Sequence, residues 1–202
     1  TPQENAQKYF AKYNKQKRTF EALSELIQET ADEIRYLESV SNSLDIALSE
    51  ADLGQIKEEL TASGYVRRKF TKKKVKLTNK PMHYISSDGY DIYVGKNNIQ
   101  NDELTFSFAN GGDWWFHAKG APGSHVIVKT NGDELPDRTF EEAGRLAAYY
   151  SKNRGSDKVE IDYIEKKHVK KPNGAKPGFV VYYTNYSLVI DSDISNIKVV
   201  QD

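Results

Sequence analysis

The chain has 202 residues, 38% of them hydrophobic, with 29 basic residues, 29 acidic residues and no cysteine. That length allows a sizeable core, and the missing cysteines exclude disulfides, a cysteine-based zinc site and a thiol nucleophile. There is no long apolar run and no basic-then-apolar leader, so no membrane insertion is expected, and the opening residues read as the interior of a longer protein.

Thr1-Pro2-Gln3-Glu4 reads as a helix start, with Thr1 as cap, Pro2 at the first helical position and Glu4 where a capping box wants it. No proline or glycine follows until after Leu53. Tyr9, Tyr13, Gln16, Phe20, Leu23, Ile27, Thr30, Ile34, Leu37, Ser41, Leu44 and Leu48 recur at alternating spacings of four and three, the seam of a coiled coil. A solitary helix would leave that stripe in water, so the seam predicts a partner: another chain, a folded-back segment or an upstream part of the protein. A short second helix is predicted from Asp52 to about Ser63, ended by Gly64, after a reversal near residues 49–52.

The neutral total hides a separation of charge. Acidic residues dominate from Glu29 to Glu59, and then Arg67, Arg68, Lys69, Lys72, Lys73, Lys74, Lys76 and Lys80 follow with no acid among them. Beyond Tyr65 the pattern becomes extended. Strands are predicted near Val75–Leu77, His83–Ser86, Asp91–Val94, Trp114–Ala118, His125–Lys129, Val159–His168, Phe179–Thr184 and Ser187–Ile190. Thr139–Ser151 reads as a helix capped by Thr139, and Asn101–Ala109 as a shorter one capped by Asn101 or Asp102. With no repeated βαβ unit, the predicted class is α+β: a long helical coiled-coil arm, then a mostly antiparallel β-rich domain with one or two helices.

The stretch from Tyr93 to Val128 concentrates amides and imidazoles among Trp114, Trp115 and Phe116. Buried amides are costly unless matched, and exposed indoles are disfavoured unless covered. Either a polar network builds the fold here or a partner binds. Asp113, His117 and His125 do not have the spacing of a recurrent metal site. A Ser124–His117–Asp113 triad would lack a nucleophile elbow and an oxyanion hole. Structural hydrogen bonding is the preferred role, with no metal, cofactor or catalysis expected. Lys166, Lys167, His168, Lys170, Lys171 and Lys176 surround a Pro172-Asn173-Gly174 turn. Lysine runs are ordinarily solvated surface, but beside Trp114, Trp115, Tyr182 and Tyr183 they suit phosphate contact and base stacking.

The segments NAQKYFAKYNKQKR (5–18), EIRYLESV (33–40), IKEELTASGY (56–65), VGKNNIQNDELT (94–105) and DWWFHAKGAPGSHVIV (113–128) resemble the bacterial NFACT family. That family includes ribosome quality-control factors and proteins named as fibronectin-binding. The resemblance implies the second half of a coiled-coil arm (1–64), a basic neck (65–80) and an NFACT-R domain (81–202), with upstream coil helices covering the seam. It implies a cytoplasmic factor that binds obstructed large ribosomal subunits and, with tRNA, supports carboxy-terminal alanine tailing of stalled chains. A fibronectin-binding adhesin module, with a cell-surface pool, is the alternative. The family signature maps onto Gly95, Asn97, Asn98, Gln100, Asn101, Asp102, Asp113, Trp115, His117, Pro122, Gly123, Ser124 and His125. The family usually has arginine after the Val-Gly pair, where Lys96 keeps the charge and loses the planar fork. Nucleic-acid contacts are expected at Lys72, Lys73, Lys74, Lys76, Lys96, Lys119, Lys166, Lys167, Lys170 and Lys171. Trp114, Lys96 and Lys119, at the margin of the signature, are the residues expected to touch a partner, while part of the signature holds the strands together.

Overall fold

The structure is a computed structural model that describes residues 1–67 and 79–200. The expected strand at Val75–Leu77 and the contacts expected at Lys72, Lys73, Lys74 and Lys76 lie outside those residues. The chain divides into two compact units, Thr1–Glu38 and Ser39–Asp202.

Helix α1 runs from Pro2 to Ile46 without a break. Thr1 caps it as predicted, its hydroxyl accepting the Glu4 amide at 3.3 Å. In the first unit the seam residues Tyr9, Tyr13, Leu23, Ile27 and Ile34 are exposed, and Phe20 is 72% exposed. The helix stops with neither glycine nor proline, because Ser49 starts a new one. The Ser49 hydroxyl accepts the Asp52 amide at 3.2 Å and the Asp52 carboxylate accepts the Ser49 amide at 2.9 Å, a capping box that opens α2, Glu50–Ala62.

The second unit is built on a seven-stranded, wholly antiparallel sheet. Its strands are β1 (Met82–Ile85), β2 (Asp91–Val94), β3 (Trp114–Ala118), β4 (Val126–Val128), β5 (Val159–Glu165), β6 (Tyr186–Ile190) and β7 (Lys198–Val199). Their order across the sheet is β6-β5-β3-β4-β2-β1-β7. The class is α+β, as the sequence predicts. Alternation along β3 sorts side chains between two cores. Phe116 and Ala118 join Ile92, Val126, Val128 and Ile161 under α4 (Asp137–Tyr149), whose Ala143, Leu146 and Ala147 are fully buried. On the other side Trp115 packs with Ile127, Ile164, Leu104 and Val169. Among the described residues no helix is long and apolar enough to cross a membrane.

Four expectations are corrected. The short helix begins earlier, as α3 (Asn98–Glu103) capped by Asn97, and continues as a π-helical turn, Leu104–Phe108. Pro136, not Thr139, stands at the start of α4; the buried Thr139 hydroxyl instead lies 2.9 Å from the Asp88 carboxylate and latches the helix to the first hairpin turn. Strand β5 ends at Glu165, because the Lys166 and Lys167 amides turn to donate to the carbonyls of Asp113 (2.8 Å) and Gly111 (3.0 Å). Residues 179–184 form no strand. They make one isolated bridge, Lys170 to Val181, between Gly178 and Thr184, both at positive φ.

Candidate nucleic-acid interface

The amides of the β2–α3 connection prove to be a buried joint. Asn97 is extended, so its side chain can accept the Gln100 amide at 2.9 Å and open α3. Its other end donates to Gln55 of α2 at 2.8 Å, and the Gln100 side chain donates to the same Gln55 oxygen at 2.8 Å. Asn98 donates to Ser39, two turns before the end of α1, and to Glu59 of α2, both at 2.8 Å. Lys96 reaches Asn79 at 3.1 Å and the buried Asp52 at 3.3 Å. Burial pushes the Asp52 carboxyl up, but hydrogen bonds from Asn79, Ser49 and the Leu48 amide, with the charge of Lys96, outweigh it and hold the group below its ordinary range. Every element here is polar, yet each amide finds its complement, so burial at this joint is tolerated and specific.

Asn101 and Asp102 clamp two further segments. The Asn101 side-chain Oδ1 accepts the His125 amide at 3.0 Å, and Asp102 accepts the Gly178 amide at 3.1 Å and pairs with Lys171. Asp113 braces its own turn: it accepts the amides of Asn110 (2.7 Å) and Thr130 (3.1 Å) and pairs with Lys129. Gly123 sits with its missing side chain facing Ser151, at 3.0 Å from that residue's Cβ.

The imidazoles of His117 and His125 do meet, edge to face at 5.5 Å, beside the Trp115 indole. His125 Nδ1 lies 2.8 Å from the Thr105 hydroxyl. Burial lowers the His117 pKa to about 4, against weaker opposing effects from the Gly123 backbone and Asp162. Burial and the neighbouring His117 lower His125 as well. Both rings are therefore neutral near pH 7. Asp113 is engaged elsewhere, and among the described residues Ser124 Oγ has no hydrogen-bond partner, so the three groups of the drawn triad are not linked. Nor do the described residues gather three or more His, Cys, Asp or Glu side chains around a common point.

The expected lysines fall into two groups. Lys96 and Lys171 are turned inward and hold their ammonium groups against Asp52 and Asp102. Lys119 pairs with Glu160 on the surface. Lys166 lies 6.0 Å from the Phe106 ring centre, Lys167 pairs with Glu165 at 2.5 Å, and Lys170 is exposed. Together with His168 these last three form a basic run directly after β5. Trp114 is half-buried, with its ring edge to face with Phe140 at 4.9 Å and tilted against Tyr163 and Tyr186.

Residues 80–184, just over half of the chain, match the family described as the NFACT protein RNA binding domain. This chain belongs to the NFACT family. Residues 1–79 match the NFACT N-terminal and middle domains. Among curated proteins, the Rqc2 homolog RqcH of Streptococcus suis is 47% identical over 98% of this chain and 36% of its own length. RqcH of Bacillus subtilis is 42% identical over 98% of this chain and 35% of its own. The chain thus spans about a third of the length of these relatives. A solved structure, the carboxy-terminal part of the fibronectin/fibrinogen-binding protein from Streptococcus suis, superposes with a TM-score of 0.87 at 44% identity, covering 98% of this chain and 80% of that one.

In this NFACT chain, then, several signature residues act as internal connectors. Sequence reasoning missed their counterparts: Asp52, Gln55 and Glu59, all buried on one face of α2. Their spacing of three and four was visible as a stripe, but a polar one, which reads as solvated surface. The useful signal was complementarity between two polar stretches, the α2 face and the amides after β2.

Proposed function

We propose that this chain is the RNA- and ribosome-binding module of a ribosome-associated quality-control factor. It would engage obstructed large ribosomal subunits and tRNA within a longer protein that supports carboxy-terminal alanine tailing of stalled chains, in the cytoplasm. The observation that carries this reading is the match of residues 80–184 to an RNA-binding domain in a chain similar throughout to RqcH proteins. Residues 1–64 serve as half of a coiled-coil arm whose exposed seam takes upstream helices, 65–80 as a basic neck, and 81–202 as the RNA-binding domain. The chain acts by binding and performs no catalysis of its own. Cationic contact comes from the neck lysines and from Lys166, Lys167 and Lys170, whereas Lys96 and Lys171 maintain the scaffold.

Replacing Lys72, Lys73 and Lys74 by glutamate is expected to weaken binding to tRNA or large-subunit RNA at least tenfold and to flatten its salt dependence, read by filter binding across a salt series. Unchanged affinity would remove the neck from the contact surface. The second reading, a fibronectin-binding module, is favoured by the superposition on the Streptococcus suis protein of that name. Direct titration with fibronectin at physiological salt decides its standing. Saturable binding that survives RNase treatment supports it, and binding lost with RNase shows that RNA bridges the two.

A further inference from the structure

The basic run after β5 borders a recess that the family signature does not include. Its volume is about 380 Å³, and Trp114, Ile164, Glu165, His168, Thr184 and Tyr186 line it. We propose that this recess holds one unpaired nucleobase of a bound RNA, a proposal that rests on the RNA-binding reading above.

Three observations support it. First, the recess has aromatic walls held in place from behind. Trp114 is fixed by Phe140 and Tyr163, and Tyr186 stacks on Tyr163 at 5.5 Å with 27° between the planes, yet Tyr186 remains 60% exposed. An exposed tyrosine backed by a rigid ring is a stacking platform that needs no reorganisation to receive a base. Second, Thr184 has φ 58, a left-handed conformation that a β-branched residue rarely adopts. Its hydroxyl donates to the Tyr183 carbonyl at 2.6 Å, which secures the turn leading into Tyr186. Strain of this kind persists where the surroundings over-determine it, and here it shapes the recess wall. Third, the charge suits a nucleotide. Glu165 Oε2 lies 2.5 Å from Lys167 and 3.7 Å from His168, so the Lys167 charge offsets the carboxylate while Oε1 remains an acceptor for a ribose hydroxyl or an exocyclic amine. Lys167 is tied to the lining residue Glu165, and Lys166 adjoins it in sequence, so cationic charge stands beside the recess for the phosphates next to an inserted base.

The test compares a labelled RNA hairpin carrying an unpaired loop with a loop-free duplex of the same phosphate count, by fluorescence anisotropy, on the full 202-residue chain. The chain is expected to prefer the hairpin. Tyr186→Ala should weaken hairpin binding about tenfold, the size of one lost stacking contact, and leave duplex binding unchanged. Tyr186→Phe should retain the preference. If Tyr186→Ala leaves the hairpin preference intact while RNA still binds, the recess is not a base site and the RNA-binding reading stands. If neither RNA binds the unmodified chain, the RNA-binding reading falls and takes the recess with it.

Discussion

Gly95→Ala is expected to destabilise the second unit by about 3 kcal/mol or more, the range reserved for a disrupted buried network. Gly95 follows β2, and its amide donates to the His125 carbonyl at 3.1 Å. A Cβ built there would stand 2.2 Å from Asn101 Oδ1, 3.1 Å from the Asn101 amide nitrogen and 3.2 Å from its Cγ. Asn101 cannot simply swing aside. Its oxygen accepts the His125 amide, its amine faces the Gly123 carbonyl at 3.4 Å, and its own amide makes the first helical bond to Asn97 at 2.9 Å. Moving it would leave buried donors and acceptors unmatched. Urea unfolding reads the effect, with Gly112→Ala as control, because a Cβ at Gly112 would meet nothing within 4 Å. In an Asn101→Ala background the cost of Gly95→Ala should shrink to about 1 kcal/mol, since the clashing Oδ1 and Cγ are gone and only the 3.1 Å contact with the residue 101 backbone nitrogen remains. An additive pair would refute the mechanism.

This glycine illustrates how much the sequence disclosed. The strands that carry period-two alternation were legible: β2 and β3 occupy the predicted residues 91–94 and 114–118. The long helix was legible from its seam. What escaped was set by distant partners. Residues 179–184 have strand composition, but Tyr182 reaches across to Asp162 with its hydroxyl (2.9 Å) in place of forming a ladder. Strand β7 is two residues long, too short to show any period. Thr139 has the chemistry of a cap, yet the turn at Asp88 claims its hydroxyl. At the site, the residue types pointed correctly to a choice between network and partner. Only three-dimensional pairing assigns Asn97, Asn98 and Gln100 to the network and leaves Tyr186, Lys167 and Lys170 exposed. Lys96 shows the limit most clearly, because its partner Asp52 lies on a helix whose polar face looks solvent-facing in sequence.

The second large effect is on acid stability. His117 has a pKa of about 4 in the fold and an ordinary value of 6.5, and His125 is displaced in the same direction. The unfolded chain therefore binds more protons than the folded one at any pH between these values, and stability must rise with pH across that window. The contribution is fully present above about pH 6.5 and is lost as the pH falls, the His117 part saturating near pH 4. Between pH 7.5 and pH 5 the loss from His117 should be about 2 kcal/mol, with His125 adding to it. Both rings are held where a charge has little relief. They face each other at 5.5 Å, Lys171 lies on the His125 side, and Asp162, the carboxylate that acts on His117, is already engaged by Tyr182 and Ser187 (2.9 and 2.6 Å). Urea melts at pH 7.5 and pH 5 measure the loss directly. His117→Gln should be less stable than the parent at pH 7.5 but lose about 2 kcal/mol less on going to pH 5, because one titrating group is gone. An identical pH slope in parent and variant would show that carboxylates, not the His117 and His125 imidazoles, govern acid unfolding here.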